Sequence, residues 1–228
     1  MGIKKRVEES LHYRLKALKK WRRKSFPSQS EAVMDQWRED HGDSTLRLTY
    51  ELNANSLVLD LGGFQGEWAA QIYERYACQI QIFEPVPEFY EFIQSRFSDN
   101  PKITSHCYGL GSKDETLEIC ISKDASSIYG TDGEKQKIQL TNVHKWFKNQ
   151  IDKDVDLMKI NIEGGEYDLL EHMHAMGDLL KVKHFQIQFH SWAPQAQKRY
   201  KVIHQYLKQT HQMTWCYPFV WENWSRVH

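Results

Sequence analysis

The sequence predicts an α/β protein in which a mainly parallel sheet is covered by helices on both faces. Three observations predict this class. From about residue 55, apolar runs of strand length alternate with segments of helical periodicity. The run LVLDLGGFQG at 57–66 joins a strand to a glycine-rich turn, and the run IQIFEP at 80–85 ends a second strand on an acid. Repeated alternation of strands and helices builds doubly wound parallel sheets.

The predicted strands begin with the apolar run that precedes the glycine turn, and the last two strands resemble a hairpin. The strands are predicted at residues 57–61, 79–84, 103–108, 117–121, 138–141, 155–162, 184–189, 213–217 and 219–224. We predict helices at 3–24, 31–38, 66–75, 88–97, 142–149, 167–176 and 195–209. Polar residues at 122–137 predict a loop.

Charge divides the chain into two parts. Residues 1–24 hold ten Lys and Arg against two Glu, a net of +8, so the remainder of this neutral chain carries −8. We therefore predict a basic helical appendage over residues 1–50 and one domain over 51–228. The apolar stripe of the basic helix favours docking on the domain. The alternative is peripheral contact with an anionic membrane or a charged partner protein.

No apolar run approaches the ~20 residues of a membrane span, and charges interrupt the N-terminus throughout. The four cysteines are scattered without metal-ligand spacing, as expected of reduced thiols. These features predict a cytoplasmic protein without a metal site.

The glycine turn predicts a nucleoside site. Glycines let the chain turn tightly and let backbone N–H groups approach a ligand. The turn opens onto a helix N-terminus, which carries partial positive charge. Glu84 lies 24 positions after Asp60, at the tip of the second strand, where an acid holds a ribose diol.

The glycine spacing distinguishes between two cofactors. The segment D-L-G-G-F-Q-G lacks the middle glycine of the dinucleotide fingerprint, which makes a dehydrogenase less favoured. Its pattern, D-x-G-x-x-x-G, resembles the S-adenosylmethionine (SAM) loop of class I, Rossmann-like methyltransferases. That resemblance implies a seven-stranded sheet. It also implies that Asp60 organises the loop near the methionine part, that Gly62 and Gly66 make room for it, and that Glu84 holds the ribose.

Further motifs make the resemblance more specific. The combination of VLDLGGFQGEW, IFEP, GLGS and DLMKINIEGGEYDLLE is similar to the FkbM family of SAM-dependent methyltransferases, over about residues 55–225. The family is associated with O-methylation of sugars, glycans and small-molecule natural products. The resemblance implies that SAM is bound by Asp60, Gly62, Gly63, Phe64, Gly66, Glu84, Pro85, Gly109, Leu110 and Asn161.

Three residues are candidates for catalysis. Asn161 and Glu163 lie two apart on the predicted strand 155–162, so they share one face. Asn161 replaces an Asp that the family usually carries; it cannot accept a proton, but it can orient a hydroxyl or the cofactor amine. His190 ends the neighbouring predicted strand. With an ordinary pKa of ~6.5 it is neutral at pH 7, so His190 or Glu163 could deprotonate or orient an acceptor hydroxyl.

Other interpretations stay open at this level. A nucleic-acid methyltransferase is compatible with the basic N-terminus, although the rest of the chain is net negative and lacks an N-P-P-aromatic motif. A nucleoside-binding docking module without catalysis is the other alternative. The aromatic residues near the C-terminus favour a core role over a sugar-binding platform; they are Trp215, Tyr217, Phe219, Trp221 and Trp224.

Overall fold

A computed structural model of the chain describes residues 29–122, 125–127, 134–150 and 153–227. The strands are β1 (Leu57–Leu61), β2 (Gln79–Phe83), β3 (Ile103–His106), β4 (Gly109–Gly111), β5 (Glu115–Ser122), β6 (Ala125–Ser127), β7 (Glu134–Asn142), β8 (Val155–Ile160), β9 (Val182–Ile187), β10 (His211–Tyr217) and β11 (Trp221–Arg226). The helices are α1 (Gln29–Glu39), α2 (Glu67–Tyr76), α3 (Pro87–Arg96), α4 (Val143–Gln150), α5 (Glu166–Ala175) and α6 (Ala196–Leu207), with a 3₁₀ turn at Asp178–Lys181.

Seven strands form the central sheet, in the order β10-β11-β9-β8-β1-β2-β3. The five strands from β9 to β3 are parallel. β11 is antiparallel to β9, and β10 is antiparallel to β11, so β10 runs in the same direction as the five. The predicted doubly wound, mainly parallel, seven-stranded sheet is therefore confirmed. The chain order reverses between β1 and β8, and ligands of such sheets bind at the carboxyl ends of the strands beside that reversal.

Apolar side chains pack on both faces of the sheet. Every residue of β1 is buried, as a central parallel strand requires. On one face, Leu59 packs among residues that include Phe147 of α4 and Leu170 of α5. On the other face, Val58 packs among residues that include Ile72 of α2. The helices therefore cover two separate halves of the core.

A second, four-stranded sheet has the order β4-β7-β5-β6. It shows that the predicted 122–137 loop was wrong in part, because β6 occupies 125–127 and β7 begins at Glu134. Residues 123–124 and 128–133 of the predicted loop lie outside the described residues. Ile119 and Ile138 pack on Val86 on one face of this sheet, whereas Lys135 and Glu118 form an exposed ion pair. Polar residues alternate with apolar ones in β7, so composition alone resembled a loop.

Several predicted strand ends also shift. The strand predicted at 103–108 ends at His106, the one at 155–162 ends at Ile160, and the one at 184–189 becomes Val182–Ile187. Asn161 and Glu163 therefore do not alternate along a strand, and the prediction that they share a strand face was wrong. The backbone turns instead, with Glu163 at a φ of 52°.

The segment before β1 packs against the sheet. Trp37 of α1 is buried against Trp215 and Tyr217 of β10. Trp221 and Trp224 are also buried, and Phe219 stacks on Tyr200. The core role predicted for these C-terminal aromatics is confirmed.

Four polar side chains form a row across the sheet. Asp60, Lys159, Gln186 and Asn223 are paired in register on β1, β8, β9 and β11, and all four are buried. Residues 47–50 provide hydrogen-bond partners for part of this row. The Gln186 amide donates to the Arg47 carbonyl at 2.8 Å and to the Tyr50 hydroxyl at 2.7 Å. The row therefore holds residues 47–50 over the sheet.

The predicted basic helix at 3–24 lies outside the described residues. Its proposed contacts with a membrane or partner and the division of the chain at residue 50 stay predictions. Within the described part of the chain, none of the helices has the length and apolarity that a bilayer crossing requires. A cytoplasmic location stays a prediction as well.

Two glycines with positive φ show whether the loop after β1 has room for a side chain. Gly62 has φ 80°, and a Cβ there would lie 1.9 Å from the Asn161 carbonyl oxygen; Gly177 has φ 74° and nothing within 4 Å. We expect Gly177→Ala to lower the free energy of unfolding by about 1 kcal/mol, from backbone strain alone. Gly62→Ala should cost about 3 kcal/mol or more, because strain and a backbone clash combine. Equal losses in urea denaturation would contradict this picture.

Candidate active site

A buried ion pair sets the position of the glycine loop after β1. Lys159 donates to Asp60 Oδ1 at 2.8 Å and to the Gly62 carbonyl at 2.6 Å. Burial lowers the pKa of Lys159 and raises that of Asp60, and the attraction between the two charges opposes both shifts. The loop is also tied to β2, because the Gly62 N–H donates to the Phe83 carbonyl at 2.9 Å.

Glu84 closes the other side of this loop. Its Oε2 accepts the Phe64 N–H at 2.8 Å and its Oε1 accepts the Val86 N–H at 3.0 Å. Burial raises the pKa of Glu84 to about 7, against the opposing effect of these two N–H groups and of Lys159. The carboxylate is thus held in place by backbone donors, while lone pairs remain for a ligand.

Two cavities meet at the loop and share Gly62, Phe64 and Asn161. The first cavity, of about 460 Å³, lies between the main sheet and the second sheet. Besides the shared residues it is lined by Glu84, Pro85, Phe89, Leu110, Gly111, Ser112, Lys113, Glu115, Leu117, Ile119, Ile138, Leu140, Ile162, Glu163, Gly165 and Asp168. The second cavity, of about 580 Å³, includes Arg47, Trp68 and Lys159 in its lining.

One buried oxygen atom on the cavity walls is available to a ligand. Asn161 lines both cavities, and among the described residues its Oδ1 lacks a hydrogen-bond partner. Buried polar atoms normally have a partner, so this atom suits a ligand that donates hydrogen bonds or carries positive charge. Asp60 Oδ2 also lacks a partner, but Asp60 is fully buried and lines neither cavity. Asn161 and Glu84 on the wall of the first cavity therefore fit the positive and ribose groups of an adenosyl-sulfonium cofactor.

His190 lies between two carboxylates. Its Nε2 is 3.4 Å from Glu163 and its Nδ1 is 3.2 Å from Glu166, whose Oε1 also accepts the backbone N–H of His190 at 2.8 Å. Burial lowers the pKa of His190, but hydrogen bonds to Glu163 and Glu166 outweigh burial and raise it to about 9. The prediction of a neutral imidazole at pH 7 was therefore wrong. As a cation, His190 holds Glu163 and cannot accept a proton.

Most of the predicted site residues meet at the loop. Seven of them line the first cavity: Gly62, Phe64, Glu84, Pro85, Leu110, Asn161 and Glu163. Gly63 lines the second cavity. Three other predicted residues, Asp60, Gly66 and Gly109, line neither of these two cavities. Asp60 holds Lys159, Gly66 precedes α2, and Gly109 lies in β4 against Leu140.

Sequence reasoning missed Arg47, Phe89, Lys159 and Asp168 as cavity residues. The signal for Lys159 was present, since a lysine between Met158 and Ile160 in a buried strand needs a charged partner. Across the described residues, no cluster of three or more His, Cys, Asp or Glu side chains is arranged to hold a metal ion.

Comparison with solved structures places the fold. The chain is similar to the fibrillarin/Nop5p complex, with 13% identity over 84% of this chain and 82% of that chain and a TM-score of 0.51. It is similar to a putative rRNA-methylase from Clostridium thermocellum, with 8% identity over 82% of this chain and 96% of that chain and a TM-score of 0.49. It is also similar to TrmK from M. capricolum in complex with S-adenosylhomocysteine, with 10% identity over 77% of this chain and 64% of that chain and a TM-score of 0.46. The chain spans 64% of that TrmK and 43% of the 23S rRNA methyltransferase ErmE. No curated protein matches the sequence.

The fold is that of class I SAM-dependent methyltransferases. The sequence matches the methyltransferase FkbM domain over residues 60–212. The chain therefore belongs to the FkbM methyltransferase family.

The ion pairs of His190 predict how stability depends on pH. Because its pKa is about 9 when folded and 6.5 when unperturbed, protonated His190 stabilises the fold fully below pH 6.5. This contribution is lost as the pH rises through 9. We expect His190→Gln to lower the free energy of unfolding by about 3 kcal/mol at pH 6 and by much less at pH 10. Urea unfolding at both pH values measures the difference, and an equal loss at both would contradict it.

Proposed function

We propose that this methyltransferase acts on a hydroxyl group of a sugar, glycan or small-molecule natural product. The observation that carries the proposal is the Glu163 carboxylate on the wall of the first cavity, which Asn161 with its unpartnered oxygen also lines. Carboxylates accept hydrogen bonds from hydroxyl groups. The net charge of −8 outside residues 1–24 is an argument against a nucleic-acid acceptor.

We infer that SAM lies across both cavities. Glu84 would accept the ribose hydroxyls, and Pro85 and Leu110 would contact the base in the first cavity. Asn161 would attract the positive groups of the cofactor with its free Oδ1, while Asp60 holds the loop through Lys159. In the second cavity, the Arg47 guanidinium would bind the carboxylate of SAM. SAM supplies an electrophilic methyl group when it is bound.

The contribution of the protein is alignment of the acceptor. We propose that Glu163 accepts the hydrogen bond of the acceptor hydroxyl and takes up its proton as the oxygen is methylated, and that Asn161 orients the same group or the cofactor amine. His190, held as a cation by Glu166, keeps the Glu163 side chain in place. Fixing the acceptor in this way supplies several kcal/mol of the catalytic effect. His190 is thus a positioning residue in this proposal, and Glu163 is the catalytic carboxylate.

An acceptor assay tests the proposal. The full chain is incubated with SAM labelled in the methyl group and with sugars, glycolipids, polyketides, RNA and DNA. We expect label on a hydroxyl of the first three classes, and Glu163→Gln should lower kcat/KM about 100-fold because the oriented acceptor is lost. Glu39→Gln, an exposed carboxylate of α1, is the matched control. Transfer to RNA or DNA alone, or full activity of Glu163→Gln, would contradict the proposal.

Glu84 predicts a pH-dependent affinity for the cofactor. With a pKa of about 7, the side chain is ionised above pH 7 and becomes protonated below it, so it loses acceptor capacity for the ribose. We expect the Kd for SAM to rise about tenfold between pH 8 and pH 6, in line with the loss of one charge-assisted hydrogen bond.

Isothermal titration calorimetry measures this change. Glu84→Gln should bind weakly at both pH values, whereas Glu88→Gln, on the exposed side of α3, should follow the unmodified chain. A pH-independent Kd in the unmodified chain would exclude the proposed role of Glu84.

A further inference from the structure

We infer that the aromatic ring of Phe64 contacts the sulfonium of bound SAM and lets the protein distinguish this charged cofactor from its neutral product, S-adenosylhomocysteine. This inference rests on the proposed function, in which SAM lies across both cavities, and it assigns a role to one residue of that site. The attraction between a cation and an aromatic ring is lost when methyl transfer removes the positive charge of the sulfur.

Phe64 lies where the two cavities meet. The cavities share Gly62, Phe64 and Asn161, and none of these three residues is charged. In SAM, the sulfonium joins the adenosine to the amino-acid part. With the adenosine beside Glu84 in the first cavity and the carboxylate beside Arg47 in the second, the sulfonium falls at this junction. Because Gly62 has no side chain, the junction offers it the ring of Phe64 and the free Oδ1 of Asn161.

The backbone of Phe64 places its ring next to the proposed ribose site. The Phe64 N–H donates to Glu84 Oε2 at 2.8 Å, and Glu84 is the proposed partner of the ribose hydroxyls. A single methylene carbon separates the ribose ring of SAM from its sulfur, so Phe64 is also close to the sulfonium. Phe64 has a φ of 50°, a left-handed conformation that is uncommon for a bulky side chain. Such strain is typical of residues that contact ligands.

The ring of Phe64 is supported on one side and open to a ligand. It is 44% exposed, and the Phe89 ring meets it at a centroid distance of 4.6 Å with 67° between the two planes. Among the described aromatic residues, Phe64 alone lines both cavities, since Phe89 lines the first and Trp68 the second. The Trp68 ring already has the Lys159 ammonium 5.8 Å from its centre. Phe64 therefore supplies the ring that a cation at the junction meets.

The charges on either side of Asn161 are compensated within the protein. Lys159, two residues before it, pairs with Asp60 at 2.8 Å. Glu163, two residues after it, lies 3.4 Å from the cationic His190. An aromatic ring attracts the sulfonium without disturbing this balance, because the ring carries no net charge.

The affinities of the cofactor and its product test the inference. Isothermal titration calorimetry at pH 8, where Glu84 is ionised, measures the Kd of SAM and of S-adenosylhomocysteine for the full chain. Phe64→Leu replaces the ring by an apolar side chain and keeps the strain of the left-handed backbone. We expect the ratio of the product Kd to the SAM Kd to fall about fivefold in this variant, through weaker binding of SAM. Phe64→Tyr, which keeps a ring, should retain the ratio.

A change of electron density in the ring gives a second test that preserves its shape. Pentafluorophenylalanine in place of Phe64 has an electron-poor ring that repels cations, so the ratio should fall at least as far as in Phe64→Leu. A residue that only packs on Phe89 would weaken both ligands equally and leave the ratio unchanged. Urea denaturation of each variant checks that the fold is retained.

Phe92→Leu is the matched control. Phe92 is a 50% exposed side chain of α3 and lines neither cavity, so both Kd values should stay unchanged. An unchanged ratio in Phe64→Leu and in the fluorinated chain would overturn the inference, while transfer of label to a hydroxyl group would leave the proposed function standing. A lowered ratio without transfer to any hydroxyl acceptor would overturn the proposed acceptor and leave the contact with the sulfonium standing.

Discussion

The ion pair between Lys159 and Asp60 determines the geometry of the site. It links β8 to β1 and, through the Gly62 carbonyl, fixes the loop on which both cavities depend. Burying two charges carries a large desolvation penalty, which a pair at 2.8 Å offsets only when further hydrogen bonds satisfy the remaining atoms. Asp60 retains one oxygen without such a bond. We therefore regard the pair as an arrangement that fixes the position of the loop more than it adds to stability.

The same pair is one part of a longer polar arrangement. Asp60, Lys159, Gln186 and Asn223 cross four strands in register, and Arg47 and Tyr50 cover them from the segment before β1. The Arg47 guanidinium also lies 4.0 Å over the Trp221 ring. This contact holds Arg47 at the second cavity. Residues 47–50, before the first strand, thus contribute to the second cavity as well as to the packing of the sheet.

Local patterns were sufficient to predict the parts of the fold that local interactions determine. The buried runs of β1 and β2, the glycine turn between them and the terminal hairpin could all be identified from residues close in sequence. The parts that were missed depend on distant partners. Arg47 meets Gln186 across 139 residues, and the charge of His190 follows from Glu163 and Glu166, which come from a different strand-to-helix turn. The second sheet was missed because β7 exposes a polar face.

The second sheet has an evolutionary consequence. Its strands β5 to β7 enter the chain between the third and fourth parallel strands and return to α4, so they supply one wall of the first cavity without contributing a strand to the central sheet. Changes in Leu117, Ile119 or Ile138 can reshape that wall while the glycine loop and its ion pair keep their geometry. Under the proposed function, exchange of this insertion alone would therefore change the acceptor preference and leave the methyl-donor site intact.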